Sequence, residues 1–213
     1  MKSKEIRALA RESLGGSIFA TEWMKGLLAY VLFSLVNGAV AGFSMGMLSI
    51  LLTGPLTFGF YSCFLLLARK QHTDVAGTLF SGFEKDFINS VGTSILISLA
   101  VSLGYFFFII PGIIIQLMLS MTFYIRADHP EYSVTEAMGE SARLMKGNKW
   151  RLFKLYFSFI GWHIVGMLTF GIGYFWITPY IQASEATFYK TLVDGDFAEF
   201  VTPDEQPVRS TKD

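Results

Sequence analysis

Six apolar runs dominate this chain: Leu27–Phe43, Met47–Ala68, Ile88–Ile110, Ile113–Ile125, Leu155–Phe170 and Ile172–Ala183. The connections that join them in pairs, around 42–46, Pro111–Gly112 and 171–173, contain no charged residue. All seventeen Lys and Arg, and all seventeen Asp and Glu, fall in the stretches outside these pairs. In hydrocarbon every backbone polar group must be satisfied within the chain, so such runs fold as helices. The pattern predicts an all-α, polytopic membrane protein of about six transmembrane helices, arranged as three hairpins entered from one side.

Composition requires the same class. Apolar residues make up 52% of the chain and charged residues 16%, against about 25% in a soluble domain. A span needs about 20 mainly apolar residues, which four of the runs meet or approach. The runs 113–125 and 172–183 are short and need flanking residues to cross, so the second pair is also readable as an outer-leaflet hairpin at 109–113.

Lys and Arg accumulate on the cytoplasmic side of a membrane. Here they lie in residues 1–25, at 69–85, at 126–154 and in the tail from Lys190. An even number of spans then puts both termini in the cytoplasm. Three regions are expected: an amphipathic cytoplasmic segment at 1–22, one membrane domain at 23–192, and a disordered cytoplasmic tail at 193–213. A signal peptide is a poor fit, because Glu5, Glu12 and Glu22 precede the Leu27–Val36 run and the Ala39-Val40-Ala41 sequence. Zero net charge gives no field to draw in nucleic acid. The single cysteine, Cys63, allows no intrachain disulfide.

The segments outside the runs read as helices against the membrane. Ile6, Leu9, Ala10 and Leu14 share one face, ended by Gly15-Gly16 in a left-handed cap. Trp23 with Lys25, and Trp150 with Arg151, are expected as interface anchors. After Asp74, the stripe Val75, Leu79, Phe80, Phe83 and Phe87 predicts an interfacial helix. Ser133-Val134-Thr135-Glu136 is a capping box opening a helix at about 134–146, with Val134, Ala137, Met138, Ser141 and Met145 on its apolar face. Gly147 closes it.

Within the runs, Gly38, Gly42 and Gly46 recur every four residues, as do Ser90, Ser94, Ser98 and Ser102. Small residues let helices approach closely, so both stripes are expected to pack helices, with Ser94 and Ser98 alternatively walling a polar groove. Pro55, Pro111 and Pro179 each sit on the returning helix of a hairpin, where a lost donor can kink it. Ionisable groups at depth are functional hypotheses by default. His163 and Glu185 qualify, with Gln182 at a similar depth to His163; His163–Gln182 or His163–Glu185 is a candidate proton-responsive pair.

No nucleophile elbow, phosphate loop, zinc motif or cluster of His, Asp and Glu is present. No catalytic residue, cofactor or metal site follows from the sequence, and Asp128-His129-Pro130 reads as a loop entering a capped helix. Membrane lipids are the expected partners, with a membrane-protein partner or a homo-oligomer as further candidates; the glycine stripe suits dimerisation and packing within one chain equally well.

Several short motifs occur in order: Gly54-Pro55-Leu56, Leu79-Phe80-Ser81-Gly82-Phe83, Ile110-Pro111-Gly112-Ile113, Ser141 with Leu144-Met145-Lys146-Gly147, Phe159-Ile160-Gly161-Trp162, Pro179-Tyr180 and Phe188-Tyr189. Over about residues 10–192 the chain resembles the DUF975 family, uncharacterised integral membrane proteins of bacteria. The resemblance implies a polytopic plasma-membrane protein with no assigned activity. The expected role is a non-enzymatic membrane factor that binds lipid or a partner membrane protein. The alternative is a small transporter or exporter component with a polar groove between kinked helices.

Overall fold

The computed structural model describes residues 3–17, 20–43, 47–84 and 86–200, and every regular element among them is an α-helix. The helix α1 (Ser3–Ser13) buries Ile6, Ala10 and Ser13. It stops where Gly15 and Gly16 adopt φ of 87° and 75°, with the Gly16 N–H donating to the Arg11 carbonyl. This is the left-handed cap that the glycine pair predicts. The first hairpin is α2 (Thr21–Phe43) and α3 (Met47–Ala68), and Pro55 lies inside α3.

The next helix, α4 (Val75–Glu84), is packed into the bundle rather than resting on its surface. Its buried residues are Val75, Leu79 and Gly82, while Phe80 and Phe87 of the expected stripe are exposed. A Cβ at Gly59 of α3 would overlap the Leu79 carbonyl, and one at Gly82 would overlap the Pro55 carbonyl. Two of the short motifs, far apart in sequence, are thus one backbone-to-backbone crossing. The aromatic periodicity is real, but the missing Cβ atoms decide which side of α4 is buried.

The second hairpin is α5 (Phe87–Phe107) and α6 (Ile109–Leu119), continued by α7 (Thr122–Asp128). Pro111 sits in the first turn of α6, where its missing N–H costs no helical bond. Opposite it, a Cβ at Gly104 would stand 2.9 Å from Gly112 Cα. Tyr105 donates to Gln116 Oε1 at 2.8 Å across the pair.

The helix α8 (Val134–Leu144) carries the capping box: the Ser133 N–H donates to Glu136 Oε2 at 2.7 Å and the Glu136 N–H to Ser133 Oγ at 3.3 Å. Its buried side is Ala137, Ser141 and Leu144, close to the expected face, and Gly147 follows with φ of 82°. Ser141 enters the interval between α6 and α7. Its hydroxyl donates to the Met118 carbonyl at 2.8 Å and accepts from the Met121 N–H at 3.2 Å. A side chain from another helix therefore satisfies backbone groups at this interruption.

The expected run Leu155–Phe170 is not one helix. It divides into α9 (Lys149–Phe157) and α10 (Ile160–Leu168), nine residues each. At the break Ser158 donates to the Leu155 carbonyl at 2.6 Å, the local competition with helical bonding that serine offers. Each piece is about 14 Å long at 1.5 Å per residue, too short to cross alone. The last helix, α11 (Tyr174–Phe200), contains Pro179 and runs into the segment expected as tail; residues 201–213 of that expectation lie outside the described residues.

Among the described residues, three helical stretches are long and apolar enough to cross a bilayer: Leu51–Ala68, Phe87–Phe107 and Ile109–Asp128. They make this an all-helical, membrane-embedded protein. The core lies where α1, α3, α7 and α11 meet, and Leu14, Phe64, Met121, Tyr124 and Phe188 are fully buried there.

Candidate functional site

Of the polar residues singled out at depth, Gln182 and Glu185 both lie near Tyr124, while His163 stands apart on Tyr174. His163 on α10 is half-buried against Tyr174, ring centroids 5.8 Å apart, and its carbonyl accepts from the Tyr174 hydroxyl at 3.3 Å. Gln182 on α11 lies beside Tyr124, whose hydroxyl is 3.5 Å from Gln182 Oε1. Among the described residues His163 pairs with neither Gln182 nor Glu185, because α10 carries it toward the hairpin turn and the two α11 residues face other helices.

Glu185 is the buried one, 6% exposed. Its carboxyl is hydrogen-bonded with Tyr156 of α9, and Tyr61 of α3 and Tyr124 of α7 lie close enough to interact with its charge. The tyrosines continue toward the end of α7. Tyr124 stacks on Tyr189 with centroids 5.5 Å apart, and the Tyr189 hydroxyl donates to Asp128 Oδ2 at 3.0 Å. Asp128 in turn takes both terminal nitrogens of Arg69. Sequence reading missed this chain. Its signal is the four-residue spacing of Tyr124 with Asp128 and of Glu185 with Tyr189, which puts each pair on one helix face.

A second buried pair joins Asp86, before α5, to Arg126 of α7, whose side chain is fully buried and also donates to the Tyr132 carbonyl. Arg126 had counted toward the cytoplasmic excess of cations, yet here it is an internal tie. Asp86 also accepts from Asn89 at 2.9 Å. His129 and Glu131 pair at 3.0 Å on the surface. Among the described residues no cluster of three His, Cys, Asp or Glu side chains is placed to hold a metal ion.

The small-residue stripes behave differently from expectation. Ser90 is fully buried, Ser94 is half-buried, and Ser98 and Ser102 are exposed on the outward side of α5. The stripe packs only at its start, where a Cβ at Gly54 would stand 2.7 Å from the Ser90 carbonyl, because α5 leaves α3 after that crossing. A Cβ at Gly38 meets no atom within 4 Å, so Gly38 is no close-packing point between the described helices. Gly46 and the surroundings of Gly42 lie outside the described residues.

Trp23 is also not where an interface anchor belongs. It is 6% exposed and stacks on Tyr180 at 5.9 Å, whereas Trp150, 62% exposed, fits that role. Beside Trp23 are two adjoining cavities of about 250 and 200 Å³ between α1, α10 and α11, which share Arg11, Trp162 and Tyr180.

Residues 106–195 match the model of a family described as a protein of unknown function, DUF975. The match includes the motifs from Ile110-Pro111 to Phe188-Tyr189 and supports the assignment those motifs suggest. No curated protein matches the chain, and no solved structure does.

Proposed function

We propose, with the DUF975 assignment as premise, that this is a six-span, three-hairpin protein of the bacterial plasma membrane with both termini in the cytoplasm. It acts there as a non-enzymatic factor that binds lipid or a partner membrane protein. The observation that supports this over a carrier is the separation of His163 and the α5 serines from the Glu185 and Gln182 cluster. A carrier gathers polar side chains around one path, but Ser98 points out of the bundle, His163 rests on Tyr174 and Glu185 is enclosed by tyrosines. The six-span count takes the three long apolar helices together with α2, the α9–α10 pair and α11 as the spans.

Native mass spectrometry of protein extracted gently from its own membrane tests the reading. The expected result is a stoichiometric lipid or partner protein on the chain. A bare chain that instead moves solute in proteoliposomes, with flux lost in Glu185→Gln, would replace the reading with a carrier. A reporter fused after Asp213 that is active only outside the cell would overturn the orientation.

A further inference from the structure

Lys4, Arg7 and Arg11 are spaced three and four residues apart on α1, which puts them on one helix face. That face lines the two cavities beside α10 and α11, and neither cavity has a carboxylate in its lining. The acidic side chain Glu12 is turned away and paired with Lys70 at 2.8 Å. Lys4 and Arg11 are exposed and make no hydrogen bond or ion pair among the described residues; Arg11 lies over the Tyr180 ring, 5.8 Å from its centroid. Arg7 reaches the Ser158 carbonyl at the α9–α10 break with only a long 3.4 Å bond.

Two donors at this place lack acceptors. The Arg7 Nε and the Trp23 indole N–H are buried with no hydrogen-bond partner. Trp23 is itself more than nine-tenths buried and lines the larger cavity. An uncompensated buried donor is costly, and a group made only of acceptors is what relieves it. Three cations with two unmet donors specify a phosphate.

The rest of the lining specifies what the phosphate is attached to. Trp162, Trp176 and Ile177 line the larger cavity together with Arg11. Trp162 and Trp176 are about two-fifths exposed, and α10 beyond Trp162 exposes Ile164, Val165, Met167 and Leu168 with no Lys, Arg, Asp or Glu among them. A free anion has no use for such an exit, whereas an acyl chain does. Indole rings beside a charged rim are the side chains that favour the boundary between headgroup and hydrocarbon.

We infer that the groove between α1, α10 and α11 binds a single phospholipid with a net negative headgroup, its phosphate at Lys4, Arg7 and Arg11 and its chains along Trp176. This deepens the lipid reading above and rests on it. Each basic residue near an anionic lipid surface contributes about fivefold in affinity, so removing two costs about 25-fold.

The test uses the full chain in nanodiscs of phosphatidylcholine containing a small fraction of phosphatidylglycerol, with retained lipid read by native mass spectrometry. The wild type is expected to keep one phosphatidylglycerol in preference to phosphatidylcholine, and inorganic phosphate to leave it in place. Lys4→Gln with Arg11→Gln, both at exposed positions, should weaken retention at least tenfold. Lys146→Gln with Lys149→Gln removes equal charge elsewhere and should change it less than twofold. Trp23→Phe, which keeps the ring and loses the N–H, should weaken retention severalfold. Equal retention of the two lipids, an unaffected Lys4/Arg11 double variant, or displacement by inorganic phosphate would each overturn the groove assignment. If the wild type keeps a specific lipid that the groove variants do not touch, the groove falls and the broader reading stands. If it keeps neither lipid nor partner protein, both fall.

Discussion

Replacing Ser141 with alanine isolates the contact that repairs the interruption between α6 and α7. The Ser141 hydroxyl is fully buried and makes two bonds, donating to the Met118 carbonyl at 2.8 Å and accepting from the Met121 N–H at 3.2 Å. Alanine fits the space and removes no packing beyond one oxygen, so the change is almost purely polar. Each bond is worth about 0.5–1.5 kcal/mol net, and a buried backbone group left without its partner costs about 1–3 kcal/mol. Two such groups give an expected loss of about 2–6 kcal/mol, a shift of at least about 30-fold in the unfolding equilibrium. Reversible unfolding in mixed micelles, followed by tryptophan fluorescence, measures this directly. Ser98→Ala on α5 is the control, because Ser98 is exposed and its loss should stay within about 0.5 kcal/mol. Equal stabilities for the two variants would mean that water or local rearrangement satisfies Met118 and Met121, and the proposed role of α8 in closing the break would be wrong.

Asp86→Asn leaves the fully buried Arg126 without its carboxylate and should cost about 3–5 kcal/mol, whereas Asp86→Leu with Arg126→Met should cost less than either single change; a double-mutant cycle in the same unfolding assay decides, and a more damaging double would refute the argument. Gly59→Ala would push a methyl into the Leu79 carbonyl and should abolish folded protein, while Gly38→Ala, with no neighbour within 4 Å, should be tolerated; size-exclusion profiles after extraction separate the two. The Ser133 hydrogen bonds hold the Glu136 carboxyl below its ordinary value of 4.5, so this box stabilises α8 fully above that value and loses the effect as pH falls through the lowered folded one. Hydrogen exchange of α8 amides, corrected for intrinsic rates, should show protection falling in acid in the wild type and no such component in Glu136→Gln.

Much of the local structure was legible because it depends on neighbours in sequence. Gly15-Gly16 and Gly147 end their helices with positive φ and the Ser133–Glu136 box forms, as short-range backbone chemistry dictates. The long apolar runs also settle, by themselves, that the chain is helical and lies in a membrane. The partners of side chains were not legible. Trp23 has the composition of an interface anchor but is buried on Tyr180, because α2 packs against α11 there. The serine stripe continues along α5 after the packing that would use it has ended at Ser90. Arg126 and Asp86, and Glu185 and Tyr156, meet across different helices, and nothing in a linear spacing announces them. Sequence determined the solvent and the helices, since hydrocarbon permits little else for such runs. Only the tertiary structure decided which polar groups face one another, because that depends on where glycines let backbones touch and on how the helix breaks at Ser120–Met121 and Ser158–Phe159 turn the chain.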